Sequence, residues 1–233
     1  MAQCNLSPRL MDIYNLTTNL ASVDVGADHG YLGIYLMEHG FDQPFFATEN
    51  KRGPYNRLVE NIKLHGQSDR IKCVFADGLK FDYRKAKQLI ISGMGGSLIA
   101  SILVSSTYGL KNFDTLILEP QSDIDTLRMT LNKLGFVIEF EKYIKEHKKT
   151  YTVMKCIKGE KRSYTPCEYA FGFYPLTHRD EILHEYLLTN IDRIDKLLKN
   201  KGKHMSIETY DSLVSKKSML KEGLKYYEIE KTN

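Results

Sequence analysis

The sequence predicts an α/β fold in which a mostly parallel sheet, covered on both faces, is followed by an antiparallel helical hairpin. Three observations predict it. From residue 21 onward, short β-like runs alternate with helix-patterned stretches, the pattern of strands joined by crossover helices. Two runs, Gln88-Leu89-Ile90-Ile91 and Thr115-Leu116-Ile117-Leu118, are continuously apolar after their first residue, which suits central parallel strands buried on both faces. Beyond about Gly159 the period changes: Leu183, Leu187, Ile191, Ile194 and Leu198 follow one another at steps of 4, 4, 3 and 4, one face of an amphipathic helix.

The elements follow in order. Residues 21–25 form the first strand and 31–39 the first crossover helix. The second strand, 45–48, leads through Gly53-Pro54 into a helix ending near His65-Gly66. Proline is at home in a first helical turn and glycine just past the last. Residues 71–75 form the third strand, and the two central runs the fourth and fifth. Residues 136–143 and 150–157, separated by a Lys-rich turn, close a seven-stranded sheet as an antiparallel hairpin. In the tail, Tyr210, Leu213, Leu220, Leu224 and Tyr227 make a second stripe. Gly202 stops the first tail helix and Ser206 caps the return helix. The domain expectation is therefore 1–158, with an N-terminal helix, and 159–233 for the hairpin.

Composition sets the outer bounds. A chain of 233 residues has room for one α/β unit and a small appendage, and 42% apolar with 27% charged residues excludes wholesale disorder. No run approaches the roughly 20 apolar residues of a membrane span, and the start, Met1-Ala2-Gln3-Cys4-Asn5, has no signal pattern. A cytoplasmic protein with no membrane partner is expected. Cys4, Cys73, Cys156 and Cys167 are scattered, so neither a disulfide framework nor a metal site is expected. The net charge of +4 permits a nucleic-acid partner without demanding one. Nothing forces a dimer or an obligate protein partner, and a monomer is expected.

Asp24-Val25-Gly26-Ala27-Asp28-His29-Gly30 lies where the first strand turns into the first helix. Dinucleotide-binding loops carry glycine at the position of Asp28, so that backbone can approach a pyrophosphate. A carboxylate there repels a pyrophosphate and attracts a cation. S-adenosylmethionine carries an α-ammonium and a sulfonium and no phosphate, so Asp24 and Asp28 suit it and are wrong for a nicotinamide dinucleotide. Glu49, with Asn50 beside it, follows the second strand and can accept both ribose hydroxyls. Asp77 follows the third strand and can accept from an adenine amine, with Gly78 allowing close backbone approach. Gly93 and Met94, in the Ser92-Gly93-Met94-Gly95-Gly96 segment after the fourth strand, offer a floor for a cofactor or a flat base. Singly, each is an ordinary turn feature. Four at the ends of four successive strands make a cofactor site.

The ordered set resembles the TrmK family, bacterial tRNA (adenine-22-N1)-methyltransferases. The likeness rests on Leu6-Ser7-Pro8-Arg9-Leu10, Asp24-x-Gly26-x-Asp28-His29-x-Tyr31-Leu32, residues 49–55, Asp77-Gly78-Leu79, Gly93-Met94-Gly95-Gly96 and residues 116–121. The chain departs from the family pattern where Glu119-Pro120-Gln121 replaces Gln-Pro-Asn, and where Thr48-Glu49-Asn50 replaces Gly-Glu-Val.

The resemblance implies a class I methyltransferase Rossmann-like domain, S-adenosylmethionine as donor, and N1 of a tRNA D-arm adenosine as acceptor. N1 has its own lone pair, so positioning dominates and no general base is required. A carboxylate near N6 helps as positive charge develops. Asp28 and Glu119 are the candidates, with His29 and Tyr31 as pocket walls and His29 shared with the cofactor. The base must first be exposed, which costs a few kcal/mol and must be offset by phosphate contacts. Candidates for those contacts are the hairpin-turn lysines Lys142, Lys145, Lys148 and Lys149, and the tail tip with Lys196, Lys199, Lys201, Lys203 and His204; Arg9, ahead of the first strand, can reach the substrate at the active-site mouth or sit in a structural ion pair. Two alternatives remain: a methyltransferase acting on a protein or small molecule, and an inactive cofactor-binding module.

Overall fold

The computed structural model describes residues 4–147, 149–201 and 205–228. Helix α1 (Pro8–Leu16) opens the chain, capped where the Leu10 N–H donates to Ser7 Oγ at 3.3 Å. Next come β1 (Ser22–Val25), α2 (Tyr31–Glu38), β2 (Phe45–Glu49), α3 (Arg52–Leu64) and β3 (Ile71–Phe75). They are followed by β4 (Gln88–Met94), α4 (Gly96–Val104), β5 (Thr115–Pro120), α5 (Ile124–Lys133), β6 (Phe136–Glu146) and β7 (Lys149–Lys158). The tail holds α6 (Pro166–Phe171), α7 (Phe173–Thr177), α8 (Glu181–Lys201) and α9 (Ile207–Glu228).

The seven strands lie in the order β3-β2-β1-β4-β5-β7-β6. The first five are parallel; β7 runs antiparallel to β5, and β6 antiparallel to β7. The chain reverses its direction across the sheet between β1 and β4, and α/β sheets open a ligand crevice at the carboxyl ends of such strands. β4 is buried through Ile91 and β5 along its whole length, as their continuous apolar runs require. Gly66, at φ +68°, ends α3 as the sequence predicts.

One apolar cluster fills each face of the sheet, around Leu89, Ile91 and Phe113 on one side and Ile34, Ile90 and Ile117 on the other. A third cluster belongs to the tail, where Leu183, Leu187 and Ile194 of α8 meet Leu220 of α9 together with Tyr143 from β6. The predicted hairpin is thus present, with α6 and α7 packed beneath it. Ser206 caps α9 by accepting from the Thr209 N–H at 3.3 Å.

The tail is fastened to the sheet through buried polar groups. Arg128 of α5 donates to Glu141 of β6 at 3.0 and 2.6 Å and to the Tyr169 and Ala170 carbonyls at 2.8 Å each. The Tyr143 hydroxyl donates to the Phe171 carbonyl at 3.1 Å. Asp180 accepts from the backbone N–H groups of Tyr143 and Leu183. Among the described residues, no helix is long and apolar enough to cross a membrane.

Candidate cofactor and active site

A cavity of about 580 Å³ opens at the carboxyl ends of β1 to β5, within the range of small-molecule sites. The residues predicted for the cofactor all line it, from Asp24 and Gly26 through Glu49, Asn50, Asp77 and Gly78 to Gly93 and Met94. Asp28, His29 and Tyr31 line it as well.

Asp24 sits in β1, only 4% exposed. Burial, and next the charge of Glu49, push its carboxyl up to about 7. An acid so placed is stabilised in its charged form by an incoming cation. After β1 the chain turns through Gly26 at φ +73°, where a Cβ would come within 2.2 Å of the Met94 side chain. Asp28 follows at φ +48°, a left-handed conformation that aspartate tolerates better than most residues. Its N–H donates to Glu49 Oε1 at 2.9 Å, so the acid ending β2 also props the β1 loop. Asp28 itself is largely exposed, with its Oδ1 3.8 Å from His29 Nε2. The His29 ring stacks on Tyr31, centroids 5.4 Å apart and planes at 17°. Tyr31 is 42% exposed at the cavity mouth.

At the far end, Lys80 pairs with Asp77 at 2.6 Å and, with a hydrogen bond from Asn50, holds the Asp77 carboxyl below its usual range. The ends of β4 and β5 and the loops after them are stapled together by hydrogen bonds. Gly93 N–H donates to Glu119 Oε2 at 2.8 Å, Gln121 N–H to the Met94 carbonyl at 2.8 Å, and Gly96 N–H to the Ser122 carbonyl at 2.7 Å. A Cβ on Gly96 would stand 2.3 Å from the Asp123 carbonyl oxygen, so the close approach requires glycine.

One predicted residue is placed differently from expectation. Glu119, expected to face the target base, is fully buried and does not line the cavity. It lies beneath the floor, bonded to Gly93 and to Arg9 Nη1 at 2.9 Å. Burial pushes its carboxyl up against the opposing pull of the Arg9 charge. Arg9, expected either at the active-site mouth or in an ion pair, lines the cavity, held by Glu119, by Glu146 at 3.5 Å and over the Tyr151 ring at 5.1 Å. The partner acids of Arg9 lie more than a hundred residues away in sequence, which no local pattern reveals. Gln121, not singled out from the sequence, lines the cavity beside Gly93; its one signal was its place in the segment that departs from the family pattern.

The predicted RNA-contact lysines are divided. Lys142 pairs with Asp12, Lys145 with Glu185 and Lys196 with Asp192. Lys149 and Lys199 are exposed, and Lys201 ends α8. Lys148, Lys203 and His204 lie outside the described residues. Among the described residues, no cluster of three or more metal-ligating side chains occurs.

The methyltransferase-domain family matches residues 6–154. The Bacillus subtilis (strain 168) tRNA (adenine(22)-N(1))-methyltransferase is 29% identical over 163 residues, 69% of this chain and 68% of its own. The structure of Streptococcus pneumoniae Sp1610, a candidate tRNA (m1A22) methyltransferase solved with S-adenosyl-L-methionine, matches with TM-score 0.84 at 29% identity. That match covers 94% of this chain and 100% of the other. A Streptococcus agalactiae protein of the NADB-Rossmann superfamily matches with TM-score 0.85 at 30% identity, covering 94% of this chain and 97% of its own. The resemblance to TrmK read from the strand-end motifs is borne out by these relatives, and the chain belongs to the methyltransferase-domain family.

Proposed function

We propose that the protein is an S-adenosylmethionine-dependent tRNA (adenine-22-N1)-methyltransferase. The observation that carries the reading is the row of carboxylates at the ends of β1, β2 and β3 around one cavity, with Asp28 where a pyrophosphate binder has glycine. The Bacillus subtilis relative supports the acceptor, and the Sp1610 complex supports the donor.

S-adenosylmethionine supplies an electrophilic methyl group on a sulfonium. Every other contribution belongs to the chain. Asp24 meets the α-ammonium, which restores charge to a carboxyl otherwise pushed up to about 7. Glu49 accepts from the ribose hydroxyls while it holds the Asp28 N–H. Asp77 accepts from the adenine amine, and Gly78, at φ +57°, lets backbone approach the ring. Gly93 and Met94 form the floor.

The target adenine stacks at the mouth on the His29–Tyr31 pair. Its N1 would attack the methyl carbon with its own lone pair as the carbon–sulfur bond breaks and its electron pair stays on the sulfur of the departing S-adenosylhomocysteine, so no side chain needs to remove a proton. The product ring is cationic, and Asp28, exposed at that mouth, offsets the charge as it develops. Glu119 acts as a positioning residue, through Gly93 and Arg9. The tail with Lys199 and Lys201, and the β6–β7 turn with Lys149, add phosphate contacts. Residues 1–158 then carry the chemistry and 159–233 help hold the RNA, in a cytoplasmic monomer.

The test is methyl transfer from labelled donor to unmodified tRNA, followed by digestion and identification of the nucleoside. N1-methyladenosine from wild-type transcript, and none from one with guanosine at position 22, is expected. Transfer to both transcripts would displace the site. No transfer with donor binding intact would favour a protein or small-molecule acceptor, or an inactive module.

A further inference from the structure

We infer that the outer lip of the cavity, where α3 begins beside the end of β3, is a contact surface for the RNA, gripping its phosphates and stacking one base away from the target pocket. The inference rests on the tRNA reading and adds a second binding face to it. β3 is one edge of the sheet and β6, which carries the contacts to α8, is the other. The lip and the tail therefore flank the cavity from opposite ends.

The first observation is an exposed aromatic with a cation laid on it. Phe75, the last residue of β3, is 45% exposed. The Arg52 guanidinium lies over its ring, 4.4 Å from the centroid, and Tyr55 supports the ring edge-on at 5.4 Å. A guanidinium held over an exposed aromatic ring offers an unpaired base a platform on which to stack.

The second observation is charge without partners. Lys51, Arg52 and Arg57 are all exposed, and none makes an ion pair among the described residues. Some other surface lysines do, Lys80 with Asp77, Lys145 with Glu185, Lys196 with Asp192 and Lys217 with Asp195, whereas Lys149 and Lys199 do not. The first acid of α3 is Glu60, one turn beyond the group. Nor do these cations serve the helix, whose N-terminal end carries partial positive charge and favours anions. Unneutralised cations beside a stacking platform match the chemistry of a nucleic-acid strand.

The third observation is place. Lys51 and Pro54 on one side, and Ala76 and Asp77 on the other, line the cavity, so Arg52 and Phe75 are the next residues outward. From β3 to β5 are four strand spacings, about 19 Å in all. A target base at the β4–β5 end leaves its neighbouring strand within reach of the lip.

The experiment uses the full chain, in the double variant R52A/R57A and, separately, F75A; none of these residues lines the cavity. Affinity for unmodified tRNA is measured across a salt series, with affinity for S-adenosylhomocysteine as the control for folding. The double variant should bind tRNA at least tenfold more weakly, and its slope of log affinity against log salt should fall by about two. F75A should weaken tRNA binding severalfold and leave the slope unchanged, since stacking releases no counterions. Cofactor-product affinity stays at the wild-type value in both. Wild-type tRNA affinity and slope in R52A/R57A would overturn the surface while leaving the methyltransferase reading intact. Failure of the wild-type protein to bind tRNA would overturn both.

Discussion

Glu49 Oε1 accepts a hydrogen bond from the Asp28 N–H at 2.9 Å, which joins the end of β2 to the turn after β1. One carboxylate therefore shapes the loop that carries Asp28 and, in the proposed complex, also holds the ribose. Removing it takes away both. E49A should weaken S-adenosylhomocysteine binding by about 10- to 100-fold, the worth of a charge-assisted hydrogen bond. E49Q, which can still accept from Asp28, should lose clearly less. Calorimetric titration of the two variants checks this; equal losses would mean that the prop contributes nothing.

Asp24 predicts a pH dependence. Its carboxyl is pushed up to about 7 in the free protein, and the ionised form is the one that meets an ammonium. Cofactor affinity should rise as pH increases to 7, approaching tenfold per unit well below that value, and then level off. In D24N, binding should be weak and this rise absent.

The same group sets a stability trend of opposite use. A carboxyl raised in the folded state favours folding at low pH, and that advantage is lost as pH climbs from about 4 to about 7. At pH 8, unliganded D24N should be more stable than wild type, by up to about 4 kcal/mol from a shift of roughly three units. At pH 4 the difference should vanish. Thermal denaturation at both pH values decides it.

Arg128 and Glu141 are 3% and 0% exposed in their side chains, and Glu141 Oε2 has no hydrogen-bond partner among the described residues. R128M would strand a buried carboxylate and should cost about 3–5 kcal/mol of stability. R128M/E141L, which removes both charges, should recover much of the loss. Urea denaturation of the single and double variants measures the difference.

G96A should force the β4 and β5 loops apart, because its Cβ would meet backbone rather than a flexible side chain. A cost of about 1–3 kcal/mol is expected from overpacking, together with weaker cofactor binding. An unchanged melting temperature would show that the two loops part freely.

β4 and β5 were legible because a strand buried on both faces must be apolar throughout. Asp28, Glu49 and Asp77 were legible because each stands at a strand's end or within three residues of it. Helix α4 was not: Gly96–Val104 is apolar on most sides, so no period distinguishes it from a strand. Helices α6 and α7, of six and five residues, are too short to show a period. α6 announces itself only through the Thr165/Glu168 capping box. The role of Glu119 was beyond reach for another reason. Its partner Arg9 is 110 residues distant, and whether an acid at a strand end faces a cavity or lies beneath its floor depends on a neighbour from another element. The pairing of Lys142 was hidden in the same way, since its partner Asp12 lies 130 residues away.

The two backbone hydrogen bonds and the Gly93–Glu119 bond that join the ends of β4 and β5 leave the floor of the cavity little freedom to move by itself. A site with a fixed floor and an exposed aromatic pair at its mouth delegates the expulsion of water to its guest. The flipped base is then its own lid: it dries the site on arrival and uncovers it on leaving. Where the base must leave with the RNA before the next cycle, product release is expected to pace turnover, and a burst of methylated product in the first cycle would be its signature.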